Sequence, residues 1–243
     1  MKNKKLLIII SVLLTFVCIV TPNARGNEIS PVNQGDKLIT VKKDGTHTLC
    51  TVGYVDKISQ TAIYTGHCSH GDVGNKVMNE KGEEVGNVIQ NFYVPPITYT
   101  DYAVIKLTVP VGNNIYSGDK ISLIPALPGD NICSYGGTSN QVYCGKVTGS
   151  EDIYVVQATR NSGGTVGDSG GPAWVDGKGI VGFLSGLTEE HTFFTYPLYI
   201  ALKYIDRGIN QNDFISKTIR EFLANIANFT IPKINFPISI KLY

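Results

Sequence analysis

The sequence reads GDSGGP over residues 167–172, and this stretch is the strongest signal for fold and chemistry in the chain. Glycines on both sides of Ser169 permit a tight turn and a close approach of the backbone. Turns of this kind can aim backbone N–H groups at an oxygen atom on which negative charge develops. The stretch therefore predicts a serine nucleophile in a preorganised turn. An ordinary glycine-rich turn is the alternative interpretation.

Two further residues have settings that suit a nucleophilic serine. His67 ends an apolar stretch and is followed by Cys68, so its ring is held as a general base must be. Asp101 leads into the apolar segment 102–107, and a buried carboxylate there needs a partner such as the Nδ1–H of a histidine. Each residue alone is weak evidence, and the other three histidines lack such a setting. Together with Ser169 they follow the chain order His, Asp, Ser of one class of catalytic triad.

Short segments rich in β-branched and aromatic residues alternate with turns through most of the chain. The predicted strands are residues 38–41, 49–55, 61–65, 84–89, 102–107, 120–124, 141–147, 153–158, 172–175, 179–184 and 193–196. Helical spacing of apolar residues occurs only late, over residues 197–204 and 214–226. The pattern predicts an all-β protein of antiparallel sandwich or barrel architecture. A chain of 243 residues has room for one large domain or two small ones.

The first 26 residues have the pattern of an export signal. Basic residues at 2–5 precede an apolar stretch over residues 6–20, and small residues at 24 and 26 predict cleavage after Gly26. An uncleaved anchor is the alternative, but the apolar stretch is shorter than the ~20 residues that span a bilayer. The whole chain has 21 basic and 20 acidic residues. Removal of the four basic residues of this segment leaves 17 basic against 20 acidic residues, a net charge of −3. A nucleic-acid partner is therefore not expected.

Four cysteines follow the predicted signal, and they allow three disulfide pairings. Their spacing favours Cys50 with Cys68 and Cys133 with Cys144, each pair closing a hairpin-sized loop. An exported chain meets an oxidising compartment, in which such bonds persist. A zinc site is the alternative, but no pair with the C-x₂₋₄-C spacing occurs.

These motifs resemble those of the chymotrypsin-fold serine peptidases, and most of all the bacterial branch of α-lytic protease and the streptogrisins. Residues 50–54 leading to Gly66-His67-Cys68 resemble the first disulfide loop of that branch, and residues 132–138 with 144–145 resemble the second. Residues 182–186 resemble the strand that lines the substrate in that branch. Residues 193–197, which lead into a predicted helix, resemble its C-terminal end. The resemblance covers roughly residues 35–209.

The resemblance implies two six-stranded antiparallel Greek-key barrels, about 35–124 and 130–196, with a site between them and a C-terminal helix. The signal would span residues 1–26, the peptidase domain 27–209, and an extension of unknown role 210–243. In the implied secreted endopeptidase, His67, Asp101 and Ser169 form the triad, and the N–H groups of Gly167 and Ser169 form the oxyanion hole. Polypeptides are the implied substrates, no metal or organic cofactor is required, and a monomer is expected.

The implied substrate pocket involves Gly163, Ser185, Gly186 and Leu187. Gly163 offers no carboxylate to a basic side chain, and Leu187 stands where this branch commonly has glycine. The sequence therefore predicts cleavage after small or medium uncharged residues.

Several features depart from that branch. The third cysteine pair near the pocket and the large folding pro-region have no counterpart, and residues 210–243 match nothing in it. A secreted, non-catalytic binding protein or adhesin on a peptidase fold is one alternative. A zymogen that is inactive until clipped is another.

Asp168 raises a separate question, because in this fold the acid before the nucleophile is buried and needs a partner. Residues 27–30 do not resemble the new amino terminus that supplies an amine in trypsin-like enzymes, and Ser134 follows Cys133 where the bacterial branch commonly has arginine. We expect Arg160 to be the partner, with Lys146 as second choice. The alternative is that Tyr135 or backbone donors satisfy Asp168.

Overall fold

The computed structural model describes residues 29–93, 100–149, 154–158, 164–187 and 192–197. This part of the chain forms two antiparallel β-sheets and the short 3-10 helix Gly66–Ser69. The first seven strands are β1 Lys37–Val41, β2 His47–Thr51, β3 Tyr54–Asp56, β4 Thr61–Tyr64, β5 Lys76–Asn79, β6 Glu84–Asn91 and β7 Ala103–Leu107. The other six are β8 Asn131–Gly136, β9 Gln141–Gly149, β10 Tyr154–Ala158, β11 Pro172–Val175, β12 Gly179–Leu187 and β13 Thr192–Pro197.

The first sheet has the strand order β2-β1-β5-β6-β7-β4-β3. Its two outer strands, β2 and β3, are consecutive in the chain and are separated only by Val52 and Gly53. A sheet whose edges are joined by two residues must curl around its own inner face. The second sheet is a closed barrel with the order β10-β13-β12-β11-β8-β9.

Each sheet encloses its own apolar core. In β1, buried and half-buried residues alternate along the strand, as the two-residue period of a sheet with one inner face requires. Val52, Tyr64, Val77, Val88 and Ile105 lie among the buried residues of the first core. Ile132, Val147, Ala173, Val181 and Leu184 lie among those of the second core.

The first sheet has seven strands where six were predicted, and one reason is that the predicted strand 49–55 is broken. The N–H of Val52 donates to Asp36, before β1, whereas the N–H of Gly53 donates to Ile63 in β4, both over 2.9 Å. The chain changes its hydrogen-bonding partner between these two residues, and the strand becomes β2 and β3.

Three other strand predictions were wrong. Residues 120–124 form no strand: Ile121 makes one isolated bridge to Ile180, and Leu123 is 77% exposed. Strands β5 and β8 were missed, since their short sequences mix polar and apolar residues. The predicted helices at 197–204 and 214–226 fall on or beyond the last described residue. No helix within the described residues is long and apolar enough to cross a membrane.

Candidate active site

His67 and Asp101 meet at one end of the first sheet. His67 lies in the 3-10 helix that follows β4, and Asp101 lies just before β7, which pairs with β4. The His67 backbone N–H donates to Asp101 Oδ1 at 2.8 Å, and ring Nδ1 lies 2.7 Å from Asp101 Oδ2. Because a carboxylate only accepts, the proton of the neutral ring lies on Nδ1 and Nε2 carries the lone pair. Pairing of adjacent strands thus fixes both the orientation and the tautomer of His67.

The two groups shift each other's pKa in opposite directions. Burial by itself lowers the pKa of His67, but the charge of Asp101 and the hydrogen bond to it outweigh burial and raise it. Burial raises the pKa of Asp101, but His67 and the hydrogen bonds that the carboxylate accepts hold it below its usual range. The pair therefore favours an ionised Asp101 beside a histidine of increased basicity.

Ser185 is a further partner of Asp101. Its hydroxyl donates to Asp101 Oδ2 at 2.6 Å, and the side chain is buried. The family resemblance places Ser185 only in the wall of the substrate pocket. Its contact with Asp101 depends on how β12 of the second barrel meets the first sheet. No local sequence signal marks that contact.

The GDSGGP segment is bonded to both sheets. Thr51 of β2 donates its backbone N–H to the Ser169 carbonyl at 2.8 Å and its hydroxyl to the Gly167 carbonyl at 2.7 Å. Gly170 donates to Leu184 of β12 at 2.7 Å. A Cβ atom placed on Gly170 would lie 3.2 Å from the backbone nitrogen of Thr65, two residues before His67. The segment that carries Ser169 therefore lies against the chain that leads into His67.

Several polar groups around this segment have no protein partner within the described residues, and one of them is the Thr138 hydroxyl beside Gly167. Nε2 of His67 is buried and unbonded, and the backbone N–H groups of Gly167 and Ser169 donate to no protein acceptor. Gly167 has φ +99°, a left-handed conformation that favours glycine. The arrangement leaves one proton acceptor and two donors available for a bound molecule.

Asp168 is 1% exposed and its carboxylate is surrounded by donors. Oδ1 accepts from the backbone N–H groups of Thr138 and Ser139, at 2.9 and 2.8 Å. Oδ2 accepts from the N–H of Thr165 at 3.0 Å and from the hydroxyl of Tyr143 at 2.9 Å.

Two of the residues considered as partners of Asp168 bond other groups. The Tyr135 hydroxyl bonds Asn140 at 2.8 Å, and Lys146 Nζ bonds the Gly129 carbonyl at 3.3 Å. Arg160 lies outside the described residues. Backbone donors were weighed from the sequence, but Tyr143 was not, although it directly precedes Cys144.

The structure contains the disulfides Cys50–Cys68 and Cys133–Cys144. The first lies next to His67, and the second joins directly opposed residues of β8 and β9. Cys50, His67 and Cys68 bring three potential metal-ligand atoms within 4.8 Å of one another. The two sulfur atoms are bonded to each other, so they offer no thiolate to a metal.

The fold resembles that of known serine proteases. No protein-family model matches the sequence, and a search of curated protein sequences finds no match. A crystal structure of chymotrypsin from Cellulomonas bogoriensis matches with a TM-score of 0.54 at 20% identity, over 73% of this chain and 97% of that one. Kallikrein-related peptidase 10 matches with a TM-score of 0.52 at 18% identity, over 77% and 98%. The HtrA-type protease AlgW with tripeptide matches with a TM-score of 0.50 at 19% identity, over 72% and 59%.

The chain has a chymotrypsin-like fold. At these identities the likeness concerns the fold, and the closer resemblance to the α-lytic protease branch stays a prediction.

In this chymotrypsin-like fold, the predicted substrate pocket is described only in part. Ser185 and Gly186 lie in β12, where the pairing with β13 shifts register between Leu184 and Gly186. At the end of β12, the backbone of Leu187 pairs with that of Phe193 in β13. Gly163 lies outside the described residues.

Proposed function

We propose that the protein is a secreted serine endopeptidase whose triad is His67, Asp101 and Ser169. The observation that carries the proposal is the doubly bonded His67–Asp101 pair. Its Nε2 is buried and bonds no described residue, Ser169 included, and the Ser169 segment packs at Gly170 against Thr65, two residues before His67. Ion pairs of this kind also occur for purely structural reasons. Here the pair coincides with a glycine-flanked serine and two free N–H donors, a combination that acyl transfer requires.

In the proposed mechanism, Ser169 Oγ attacks the carbonyl carbon of the substrate while His67 Nε2 takes the hydroxyl proton. Asp101 stabilises the resulting imidazolium ion. His67 then gives the proton to the leaving amine, and an acyl-enzyme remains until water attacks it with His67 again as base. The N–H groups of Gly167 and Ser169 bind the oxyanion, and each such donor typically lowers the barrier by ~3 kcal/mol.

For specificity, we propose cleavage after small or medium uncharged residues. The proposal rests on the residue types of Gly163 and Leu187 in the pocket that the family resemblance implies, which would also include Ser185 and Gly186. A library of peptide substrates measures this preference directly, and a profile dominated by arginine or lysine before the cleaved bond would contradict it.

We further propose export through the signal at residues 1–26, a peptidase domain over 27–209, and a monomeric product. The two disulfides support an oxidising destination. Sequencing the amino terminus and measuring the mass of the secreted protein would test the predicted cut and the fate of residues 210–243.

Hydrolysis of an unfolded protein such as casein tests the proposed activity. Ser169→Ala should lower kcat by at least about 10³-fold, since loss of a triad nucleophile removes most of the rate enhancement. Ser59→Ala is the matched control, because Ser59 lies in an exposed turn and its hydroxyl bonds only Asp56 and Thr61 among the described residues. A folded wild-type protein without activity, or an active Ser169→Ala variant, would contradict the proposal.

A further inference from the structure

Asp168 lies directly before Ser169, so whatever holds its side chain also holds the proposed oxyanion turn. Its four donors among the described residues come from two places: Thr138, Ser139 and Tyr143 lie in and beside the β8–β9 hairpin, and Thr165 lies in the turn itself. The space is closely fitted, because a Cβ atom on Gly136 would lie 2.3 Å from the Asp168 carboxyl carbon. The carboxylate therefore anchors the turn to the hairpin.

An ionised carboxylate has about four lone-pair directions for hydrogen bonds. Two donors on Oδ1 and two on Oδ2 fill them, and none of the four carries a formal charge. Backbone N–H groups and a hydroxyl can stabilise a buried carboxylate in this way, as happens where several donors converge on one acid. Donors from the described residues therefore already fill the acceptor positions that an arginine or a newly formed amino terminus would need to occupy.

We propose that Tyr143 is a positioning residue that takes the place of a cationic partner for Asp168 and holds the oxyanion turn in its working geometry without activation by a newly cut amino terminus. This inference rests on the proposed peptidase function.

Several contacts place the Tyr143 hydroxyl. Tyr143 is 4% exposed in β9, directly opposite Ser134 of β8 and next to Cys144 of the second disulfide. The Ser139 hydroxyl makes a short contact with the phenol oxygen. Since the phenol has one proton and the carboxylate can only accept, that proton goes to Asp168. Burial and the neighbouring charge of Asp168 raise the pKa of Tyr143 to about 12, so it stays a donor at neutral pH.

The start of the described chain is engaged elsewhere. Ile29 packs against the core of the first sheet, and the N–H of Val32 donates to the Pro110 carbonyl at 3.0 Å. Val32 also bridges to Val111. These contacts hold residues 29–32 on the first sheet, whereas the Asp168 donors come from the hairpin and the turn of the second.

The test compares Tyr143→Phe with Tyr135→Phe in the full secreted protein. Tyr143→Phe removes a hydrogen bond to a charged group, and such bonds correspond to a roughly 10-fold or larger effect, so kcat should fall by about 10-fold or more with little change in KM. Tyr135→Phe removes a hydroxyl that interacts with Asn140 and Tyr116 and makes no recorded bond to Asp168, and kcat should stay unchanged. Arg160→Gln, and an extension before the mature amino terminus, should also leave kcat unchanged.

Hydrogen exchange of the peptide covering residues 164–171 provides a readout that does not depend on activity. The N–H of Asp168 bonds Thr165 and that of Gly171 bonds Asp168, so loosening of the turn accelerates their exchange. Faster exchange is expected in Tyr143→Phe and not in Tyr135→Phe, even if the wild type proves inactive and the proposed function fails.

Equal kcat and equal exchange in Tyr143→Phe and wild type would overturn the assignment. So would a loss of activity in Arg160→Gln as large as that in Tyr143→Phe, or activity that arises only after the amino terminus is cut.

Discussion

Asp101 accepts three hydrogen bonds, from the backbone and ring of His67 and from the hydroxyl of Ser185. Asp168, its counterpart beside Ser169, accepts four. Both acids are almost fully buried, and both are positioned by backbone N–H groups as well as by side chains. Buried carboxylates are costly unless they are bonded in this way, so each one fixes the geometry around it.

The raised pKa of His67 predicts how the ring titrates. The charge of Asp101 favours the imidazolium form, so the ring should lose its proton above the ordinary value of ~6.5. Because Nε2 must be unprotonated to act as a base, kcat/KM should rise as pH increases through that pKa. NMR titration of histidine-labelled Ser169→Ala measures the pKa without self-digestion.

Asp101→Asn is the matched variant for this titration. It removes the charge and leaves the burial that lowers the His67 pKa, so the ring should titrate below its wild-type value. A pKa below ~6.5 in the presence of Asp101, or one that Asp101→Asn does not lower, would contradict this account of the pair.

Residue types in chain order were enough to predict His67, Asp101 and Ser169 as a group. The contacts of Ser185 with Asp101 and of Tyr143 with Asp168 were not predicted, because they depend on register and on packing between sheets. Tyr143 reaches Asp168 because β9 pairs with β8 so that Tyr143 lies opposite Ser134. Nothing in the local sequence distinguishes it from Tyr135, which the same hairpin directs to Asn140.

At the scale of the elements, the turn after Ser169 depends on Gly170. Gly170 has φ +91°, and a Cβ atom there would lie 2.3 Å from the Thr51 carbonyl oxygen. The substitution Gly170→Ala thus combines backbone strain with a clash against β2.

Gly177→Ala separates these two effects. Gly177 lies in the turn between β11 and β12 with φ +76°, and nothing lies within 4 Å of a Cβ atom there. Gly177→Ala should cost ~1–2 kcal/mol of unfolding free energy through strain alone and keep full activity. Gly170→Ala should cost more and lower kcat, as denaturant unfolding and peptide hydrolysis would measure. Equal losses in the two variants would show that close packing around Gly170 is not needed.

The strands were predictable where apolar residues are dense, as in β4, β7 and β11. Strands were not predictable where pairing with adjacent strands, rather than the strand's own sequence, determines that a strand forms. Strand β5 has only Val77 fully buried and is held between β1 and β6, so its own sequence carries little signal. The break between β2 and β3 likewise reflects a change of partner at Val52 and Gly53.

At the scale of the whole molecule, two β-sheets meet along the segment that carries Ser169. Gly53 illustrates the contact: a Cβ atom there would lie 2.1 Å from the Phe183 ring of β12 and 2.4 Å from the Gly170 carbonyl oxygen. The two-barrel plan was expected from the resemblance to a peptidase family, and the match to solved chymotrypsin-like structures supports it. Strand spacing alone left both a sandwich and a barrel open, because closure depends on pairings between distant strands such as β10 and β13.

Labelling with a fluorophosphonate tests the proposed triad most directly, because the reagent transfers its phosphonyl group to an activated serine oxygen and releases fluoride. Mass spectrometry of the secreted protein should show a single adduct, and peptide mapping should place it on Ser169. The adduct should be absent from Ser169→Ala and His67→Ala, and present in the control Ser59→Ala. A folded wild-type protein that takes up no label, or one labelled at another residue, would contradict the assignment of Ser169 as the nucleophile.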